Sequence, residues 1–205
     1  MTMTLQELAA EASTCTRCRL SNGRTQVVFG VGDPDADLMF IGEGPGYHED
    51  KQGEPFVGAA GQLLTKLLGE IGLLRGSVYI CNVVKCRPPG NRDPLPDEIE
   101  ACRPYLLGQL DNIRPHIIVT LGNFATRVIL DRQVSISRVR GQRFTVDGRT
   151  VIPTFHPAAI LHGGGEAGAQ MDALRSDFRQ IRAALDEPRP VTVPTLAQEQ
   201  LGLFG

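Results

Sequence analysis

The segment GEGPGYHEDKQGEPFVG, residues 42–58, has a composition that could stabilise positive charge on a ligand. It combines five glycines, four carboxylates and one phenylalanine directly after an apolar run. Its spacing is not that of a G-x-x-x-x-G-K-[ST] phosphate loop, and Glu43, Glu49 and Asp50 would repel phosphate. Such a loop favours a water molecule, a metal ion or a developing cation, and its glycines would let the backbone approach a ligand closely.

Four of the five cysteines have the arrangement of metal ligands. Cys15 and Cys18 form a C-x-x-C pair, and Cys86 and Cys102 lie far downstream with 15 residues between them. A zinc ribbon would carry a second C-x-x-C pair, and a thioredoxin-like dithiol would follow a strand, so both fit poorly. The spacing predicts a four-cysteine metal site but does not separate zinc from an iron-sulfur cluster. Cys81 lies in an apolar run and is predicted to be a buried core residue.

Composition restricts the class of protein. The formal net charge is -2 and the pI is about 6.1, so any contact with nucleic acid must be local. The N-terminus has no basic start or long apolar stretch, and no apolar run approaches the roughly 20 residues that cross a bilayer. We expect a cytoplasmic protein with no membrane contact, and its 205 residues fit one main domain.

Short apolar runs alternate with helical patterns along the chain. The predicted strands are residues 38–41, 78–84, 117–121 and 151–155, and the predicted helices are residues 60–71, 96–113, 123–130 and 167–185. This alternation predicts an α/β fold, a three-layer α/β/α sandwich with a central, mainly parallel four-stranded sheet. Residues 144–146 and 150–152, joined by Asp147-Gly148, also predict a hairpin leading into the last strand.

Polar segments follow each of the four predicted strands. They are residues 42–46, 82–92, 122–123 and 156–157. Ligands of open α/β sheets bind beyond the carboxyl ends of the strands, so we expect the functional site there. Polar loops after strands are common, so it is the occurrence of all four together that indicates a site.

The motifs together resemble the family 4 uracil-DNA glycosylases, which are the iron-sulfur class. They are C-x-x-C, GEGPG-x-x-E-D-x-x-G-x-P-F-V-G-x-A-G, N-V-V-K-C-R-P-P-x-N-R-x-P, a cysteine 16 positions after Cys86, and H-P-A-A-I-L. The resemblance covers about residues 5–185 and implies the uracil-DNA glycosylase fold. It also implies one 4Fe-4S cluster, with zinc as the alternative, held by Cys15, Cys18, Cys86 and Cys102. The implied activity is monofunctional hydrolysis of the N-glycosidic bond of deoxyuridine in DNA, as in base excision repair.

The resemblance assigns roles to residues of the candidate site. Glu43 would hold or activate the attacking water and favour a cationic sugar, and His156 would donate a hydrogen bond to uracil O2. The carboxamide of Asn82 would pair with uracil N3–H and O4, whereas cytosine presents the reverse polarity. Phe56 would stack on the extruded base. Gly44, Glu49 and Asn91 are also expected in or beside this pocket.

Local cations are the predicted DNA contacts. Lys85, Arg87 and Arg92 flank the loop after the second predicted strand, and residues 134–143 carry several arginines without an acid. From this segment Arg138 and Arg140 are predicted to contact phosphates, and Arg143 lies beside them. A merely solvated basic surface is the alternative.

Residues 158–165 resemble the intercalation loop of the family. An apolar side chain of this loop, Ile160 or Leu161, would fill the space that the extruded base leaves. Leu161 is expected among the residues that contact DNA.

Two other functions are alternatives to a glycosylase. One is a protein that traps uracil-DNA without turnover, as a relative in the superfamily does through a histidine on an Arg-rich insertion. Residues 87–93 contain neither the histidine nor the insertion, which favours turnover. The other is an iron-sulfur redox protein that is indifferent to uracil.

The C-terminal part has a different composition. Residues 1–185 are predicted to form the glycosylase domain, and residues 186–205 a flexible tail with three prolines in its first half. The tail ends in a peptide similar to those that bind the bacterial sliding clamp, with Gln200, Leu201, Leu203 and Phe204 as its contacts. An incidental apolar tail is the alternative. We otherwise expect a monomer.

Overall fold

A mixed β-sheet forms the centre of the molecule. The computed structural model describes residues 3–162 and 168–188, and within these the sheet has six strands. They are β1 (Val31–Gly32), β2 (Leu38–Gly42), β3 (Tyr79–Asn82), β4 (Ile117–Leu121), β5 (Phe144–Val146) and β6 (Arg149–Thr154). Their order is β1-β3-β2-β4-β6-β5, and only β1 and β5, at the two edges, pair antiparallel with their neighbours.

The predicted sheet is confirmed in class but wrong in strand number. The four predicted strands correspond to β2, β3, β4 and β6, which are all parallel to one another. The predicted hairpin is also present, because β5 pairs with β6. β1 was not predicted, since a strand of two residues is too short to show a periodic pattern.

Helices cover both faces of the sheet. They are α1 (Leu5–Ser13), α2 (Tyr47–Gln52), α3 (Ala59–Glu70), α4 (Pro96–Ile113), α5 (Gly122–Leu130), α6 (Ile136–Val139), α7 (Pro157–His162) and α8 (Ala169–Leu185). Of these, α3, α4, α5 and α8 correspond to the predicted helices. The others were not predicted, and three of them have only four to six residues, too few for a helical period.

The side chains of β2 alternate between two apolar cores. Leu38 and Phe40 pack with α3 and α8, and Phe40 stacks on Phe178 with ring centroids 5.9 Å apart. Met39 and Ile41 point to the opposite face and pack with α1, α4 and α5. The strand is therefore buried on both faces, which explains its continuous apolar sequence.

Helix α4 begins where its sequence predicts. Pro96 occupies the first turn, where its missing N–H costs no hydrogen bond. The carboxylate of Glu98 accepts a hydrogen bond from the backbone N–H of Leu95 at 2.8 Å and pairs with Arg92 through two bonds of 2.9 and 2.6 Å. This pair ties the loop after β3 to the helix.

The loop between α2 and α3 is held in an unusual conformation. Phe56 has a φ of 55°, a region that side-chain-bearing residues seldom adopt. Gly61 of α3 packs directly on the backbone of Phe56, and a Cβ on Gly61 would overlap its carbonyl oxygen. Because residue 61 has no side chain, the backbone of Phe56 can pack directly against α3.

No helix among the described residues is long and apolar enough to cross a membrane. Of the predicted tail, residues 186–188 are described, and α8 ends at Leu185. The remainder, with Gln200, Leu201, Leu203 and Phe204, lies outside the described residues.

We expect Gly61→Ala to destabilise the fold by about 1–3 kcal/mol, because the added methyl group overlaps backbone that has little room to move. The matched control is Gly69→Ala in the same helix, where a Cβ meets nothing within 4 Å. That variant should be stabilised by up to about 1 kcal/mol through helix propensity. Chemical denaturation measures both, and equal effects of the two substitutions would contradict this account.

Candidate active site

A cavity of about 450 Å³ opens beyond the carboxyl ends of β2 and β3 and next to the segment after β6. Eight of the residues singled out from the sequence line it: Glu43, Gly44, Glu49, Phe56, Asn82, Asn91, Arg92 and His156. Strands β2, β3 and β6 end at this edge because they are parallel, so residues far apart in sequence meet there. The cavity is large enough for a nucleobase with part of its sugar.

Asn82, the last residue of β3, is the most constrained polar group of the cavity. Its side chain is 2% exposed, and its Oδ1 has no hydrogen-bond partner among the described residues. A Cβ on Gly42, the neighbouring end of β2, would overlap this oxygen. A buried amide oxygen without a donor normally costs about 1–3 kcal/mol, so its retention points to a ligand that supplies the donor.

Two rings form one wall of the cavity. The rings of Phe56 and His156 are stacked, with centroids 5.6 Å apart and planes inclined by 29°. The carboxylate of Glu49 accepts hydrogen bonds from the backbone N–H groups of Val57 and Gly58, both at 3.0 Å. Glu49 therefore holds the backbone directly after Phe56 in place.

The imidazole of His156 is neutral and has a defined tautomer. Its Nδ1 accepts a hydrogen bond from the backbone N–H of Ala158 at 3.1 Å, which leaves the proton on Nε2. Burial lowers the pKa of His156 to about 4, and the charge of Glu49 opposes this only in part. At neutral pH the ring can donate one hydrogen bond without carrying charge.

Glu43, immediately after β2, has an elevated proton affinity. Burial raises its pKa to about 7, and the nearby carboxylate of Asp93 adds to the increase through its charge and a hydrogen bond. Asp93 also lines the cavity, although no sequence motif predicted it as a site residue. In the sequence, only its position directly after Arg92 in the N-V-V-K-C-R-P-P-x-N-R-x-P motif indicated a role.

Lys85, predicted to contact DNA, is buried inside the protein in this structure. Its side chain is 1% exposed, and its Nζ donates hydrogen bonds to the backbone oxygen of Asn82 at 2.7 Å and to Oε1 of Gln109 at 2.5 Å. The lysine therefore supports the residue that points into the cavity. Its apolar neighbours Val83 and Val84 gave the only sequence signal of burial.

The other predicted cations differ in how far they are already paired. Arg92 pairs with Glu98, and Arg140 pairs with the buried Asp177 at 2.6 Å. Arg143 pairs with Glu187 at 2.7 Å. Three of these arginines thus have structural partners.

Arg87 and Arg138 have no ion pair to a carboxylate among the described residues. Arg138 is exposed, whereas Arg87 lies against an aromatic ring. Leu161, one of the two candidate wedges, is 38% exposed on α7, which also carries Ala158 of the cavity. Residues 163–165 of the predicted wedge loop lie outside the described part.

Four cysteines converge on a second, smaller cavity on the other side of β3. Cys15 and Cys18 follow α1, Cys86 follows β3, and Cys102 belongs to α4, and all four line it. Cys81, in contrast, is fully buried in β3 and does not, as predicted. All five are free thiols.

Hydrogen-bond donors contact two of the four thiols. Arg24 donates to the backbone oxygen of Cys15 at 2.6 Å and to Sγ of Cys86 at 3.4 Å, and the backbone N–H of Lys85 donates to Sγ of Cys102 at 3.3 Å. Burial raises the pKa of Cys102 to about 11. Burial thus favours the protonated thiol of Cys102, whereas the donors to sulfur and the guanidinium of Arg24 favour thiolates and suit metal-bound cysteines.

Among residues 3–162 and 168–188, no group of three or more His, Cys, Asp or Glu side chains is arranged to hold a single metal ion. Four sulfurs on one zinc ion lie about 2.3 Å from the metal. The four thiols nevertheless line one cavity.

Comparison with known proteins agrees with the geometry. The profile of the uracil DNA glycosylase superfamily matches residues 29–179. A type-4 uracil-DNA glycosylase of Sulfurisphaera tokodaii is 46% identical over 198 residues, covering 92% of this chain and 88% of the relative. One of Thermotoga maritima is 52% identical over 160 residues, covering 77% and 83%. A type-5 enzyme of Thermus thermophilus is 38% identical over 120 residues, covering 50% and 53%.

Proposed function

The chain belongs to the uracil-DNA glycosylase superfamily and within it to the type-4 enzymes, and we propose on this premise that it removes uracil from DNA by hydrolysing the N-glycosidic bond of deoxyuridine. The observation that carries the proposal is one cavity that holds Glu43, Phe56, Asn82 and His156 together. It contains an acid, a stacking ring, an unpaired amide and a neutral imidazole, which are the groups that this reaction requires.

Base selection depends on the amide of Asn82. Its unpaired Oδ1 accepts a hydrogen bond from N3–H of uracil, and its Nδ2 donates to O4. Cytosine has an unprotonated N3 and an amino group at these places, so it would leave buried polar atoms without partners. The ring of Phe56 replaces the stacking that the base loses when it leaves the duplex.

Bond cleavage separates charge, and the cavity has a group for each sign. The carboxylate of Glu43 stabilises the cationic sugar and holds the water that attacks it. The Nε2–H of His156 donates to O2 of the departing uracil as negative charge collects there. Because the imidazole is neutral, it stabilises this charge without giving its proton to the base.

We expect wild-type protein to convert a uracil-containing oligonucleotide into an alkali-labile product. His156→Ala should lower kcat about 100-fold to 1000-fold, the usual cost of losing a donor to developing negative charge. Glu43→Gln should also lower kcat strongly, because an amide cannot offset the sugar cation. The control is His116→Ala, since His116 precedes β4 and lies at the amino ends of the parallel strands, away from the cavity. Failure of the wild type to cleave would overturn the proposal.

The pKa of Glu43 predicts the acid limb of the pH profile. Since the carboxylate is the active form, kcat/KM should rise with pH through about 7, and His156, with a pKa of about 4, should not titrate in this range. Asp93→Asn removes a negative neighbour and should move the limb to lower pH. Asp97→Asn, an exposed acid paired with Arg19, is the control. If the acid limb of the pH profile stays at the same pH in Asp93→Asn, the effect of Asp93 on the pKa of Glu43 is contradicted.

We also propose that Cys15, Cys18, Cys86 and Cys102 hold one 4Fe-4S cluster. Their shared cavity and the donors to the sulfur atoms of Cys86 and Cys102 support a metal site, and the resemblance of the four-cysteine motif to the iron-sulfur class favours a cluster over zinc. When bound, the cluster supplies a covalent link between the segment after α1, the loop after β3 and α4. Each cysteine would have to lose its proton on binding, so loading should be weaker at low pH.

Metal analysis tests the cluster. Purified wild type should contain about four iron atoms and four sulfides per chain, and Cys102→Ser should lose iron and melt at a lower temperature. Cys81→Ala is the matched control, because this buried cysteine does not line the cavity, and it should keep its iron. Zinc in place of iron in the wild type, or full iron content in Cys102→Ser, would contradict the assignment.

Two finer proposals concern partners. Gln200, Leu201, Leu203 and Phe204 would bind the sliding clamp, and deletion of residues 199–205 should then abolish clamp binding; unchanged binding ends the idea. The protein would act as a monomer, because one chain contains the complete cavity.

A further inference from the structure

Tyr47 is an exposed aromatic side chain beside the mouth of the cavity. It is the first residue of α2 and directly follows Gly46, which lines the cavity. Its side chain is 52% exposed, and it is the only aromatic among the exposed large apolar residues of the described chain. An exposed tyrosine at the rim of a binding site is a candidate contact for a flat, apolar partner.

Two cations lie against the ring of Tyr47. The guanidinium of Arg87 is 5.2 Å from the ring centroid, and Nζ of Lys51 is 5.9 Å from it. Arg87 is positioned by a 2.7 Å hydrogen bond from its Nε to Oδ1 of Asn91, which also lines the cavity. We call Tyr47, Lys51 and Arg87 the Tyr47 patch.

The charge of this patch is not neutralised by the described residues. Lys51 and Arg87 form no ion pair with a described carboxylate, whereas Arg92, Arg140 and Arg143 each do. The two acids of α2 are engaged elsewhere. Glu49 accepts from the loop backbone, and Asp50, which is 2% exposed, accepts from the backbone N–H of Thr25 at 2.8 Å.

We propose that the Tyr47 patch binds the nucleotide adjacent to the flipped uridine, with its base on the Tyr47 ring and its phosphate on Lys51 and Arg87. An aromatic ring beside cations is the combination by which proteins hold unpaired nucleotides without reading their sequence. The substrate that suits it is single-stranded or locally opened DNA. This inference rests on the proposed function and adds to it a binding site for the neighbouring nucleotide.

The stacking part is tested by binding to a labelled single-stranded oligothymidylate, measured by fluorescence anisotropy on the full chain. Tyr47→Ala should raise Kd at least about 5-fold, because stacking is worth about 1–3 kcal/mol per base. Tyr47→Phe keeps the ring and should bind like wild type. Leu74→Ala is the control. Leu74 is 78% exposed and precedes β3, so it lies at the amino ends of the parallel strands, away from the cavity. Unchanged Kd in Tyr47→Ala overturns the proposal.

The phosphate part predicts a change in salt dependence. Lys51→Gln and Arg87→Gln should each reduce the slope of log K against log salt by about 0.7, as expected for one contact with a single strand. Arg132→Gln, an exposed arginine just beyond the C-terminal end of α5, should leave the slope unchanged. Equal slopes in all three variants would contradict the assignment of the cations.

Excision kinetics separate this inference from the proposed function. With a uracil-containing single strand, the loss in Tyr47→Ala should fall on KM rather than on kcat, because the ring does not touch the reacting bond. If wild type excises uracil and Tyr47→Ala has the same KM and Kd, only the patch is refuted. If wild type binds oligothymidylate through the patch but excises no uracil, only the proposed function is refuted.

Discussion

The unpaired amide oxygen of Asn82 is the constraint on which the site depends. The fold buries this group at the end of β3 and provides no donor for it among the described residues, which is unfavourable for the protein alone. Its position is nevertheless fixed, because Lys85 binds the backbone oxygen of the same residue and Gln109 holds Lys85. The site is therefore preorganised: the free energy lost on burial in the empty protein is recovered only when a ligand with the matching donor enters.

The same principle applies to the aromatic wall. Phe56 has a left-handed backbone conformation, which Glu49 supports from one side and the bare Cα of Gly61 from the other. These two residues lie in different helices, so the ring is positioned before any base arrives. Glycine in the first loop thus has a different use from glycine in α3. At the start of the loop, Gly42 leaves room for the side chains of Asn82 and Phe56, and in the helix Gly61 leaves room for the protein's own backbone.

The sequence predicted the parallel strands and long helices well because their apolar periods are strong, and it predicted the cavity because functional groups follow parallel strands. Local pattern could not predict the rest. Lys85 looks like a surface cation because lysine is seldom buried, and its burial depends on Gln109, 24 residues later. Asp93 looks like a turn residue, since its effect on Glu43 needs the cavity to bring the two together. Likewise, the pairing of Arg140 with Asp177 spans 37 residues and gives a predicted phosphate contact a partner within the protein.

The short outer strands have a consequence for the solution behaviour of the protein. β1 has two residues and β5 has three, so either border of the sheet offers few free peptide groups to a foreign strand. Both run antiparallel to the strand that they cover. The long parallel strands, whose β-branched and apolar sequences would otherwise template aggregation, are thereby shielded inside the sheet. The topology thus limits edge-to-edge association in a protein with a net charge of only -2.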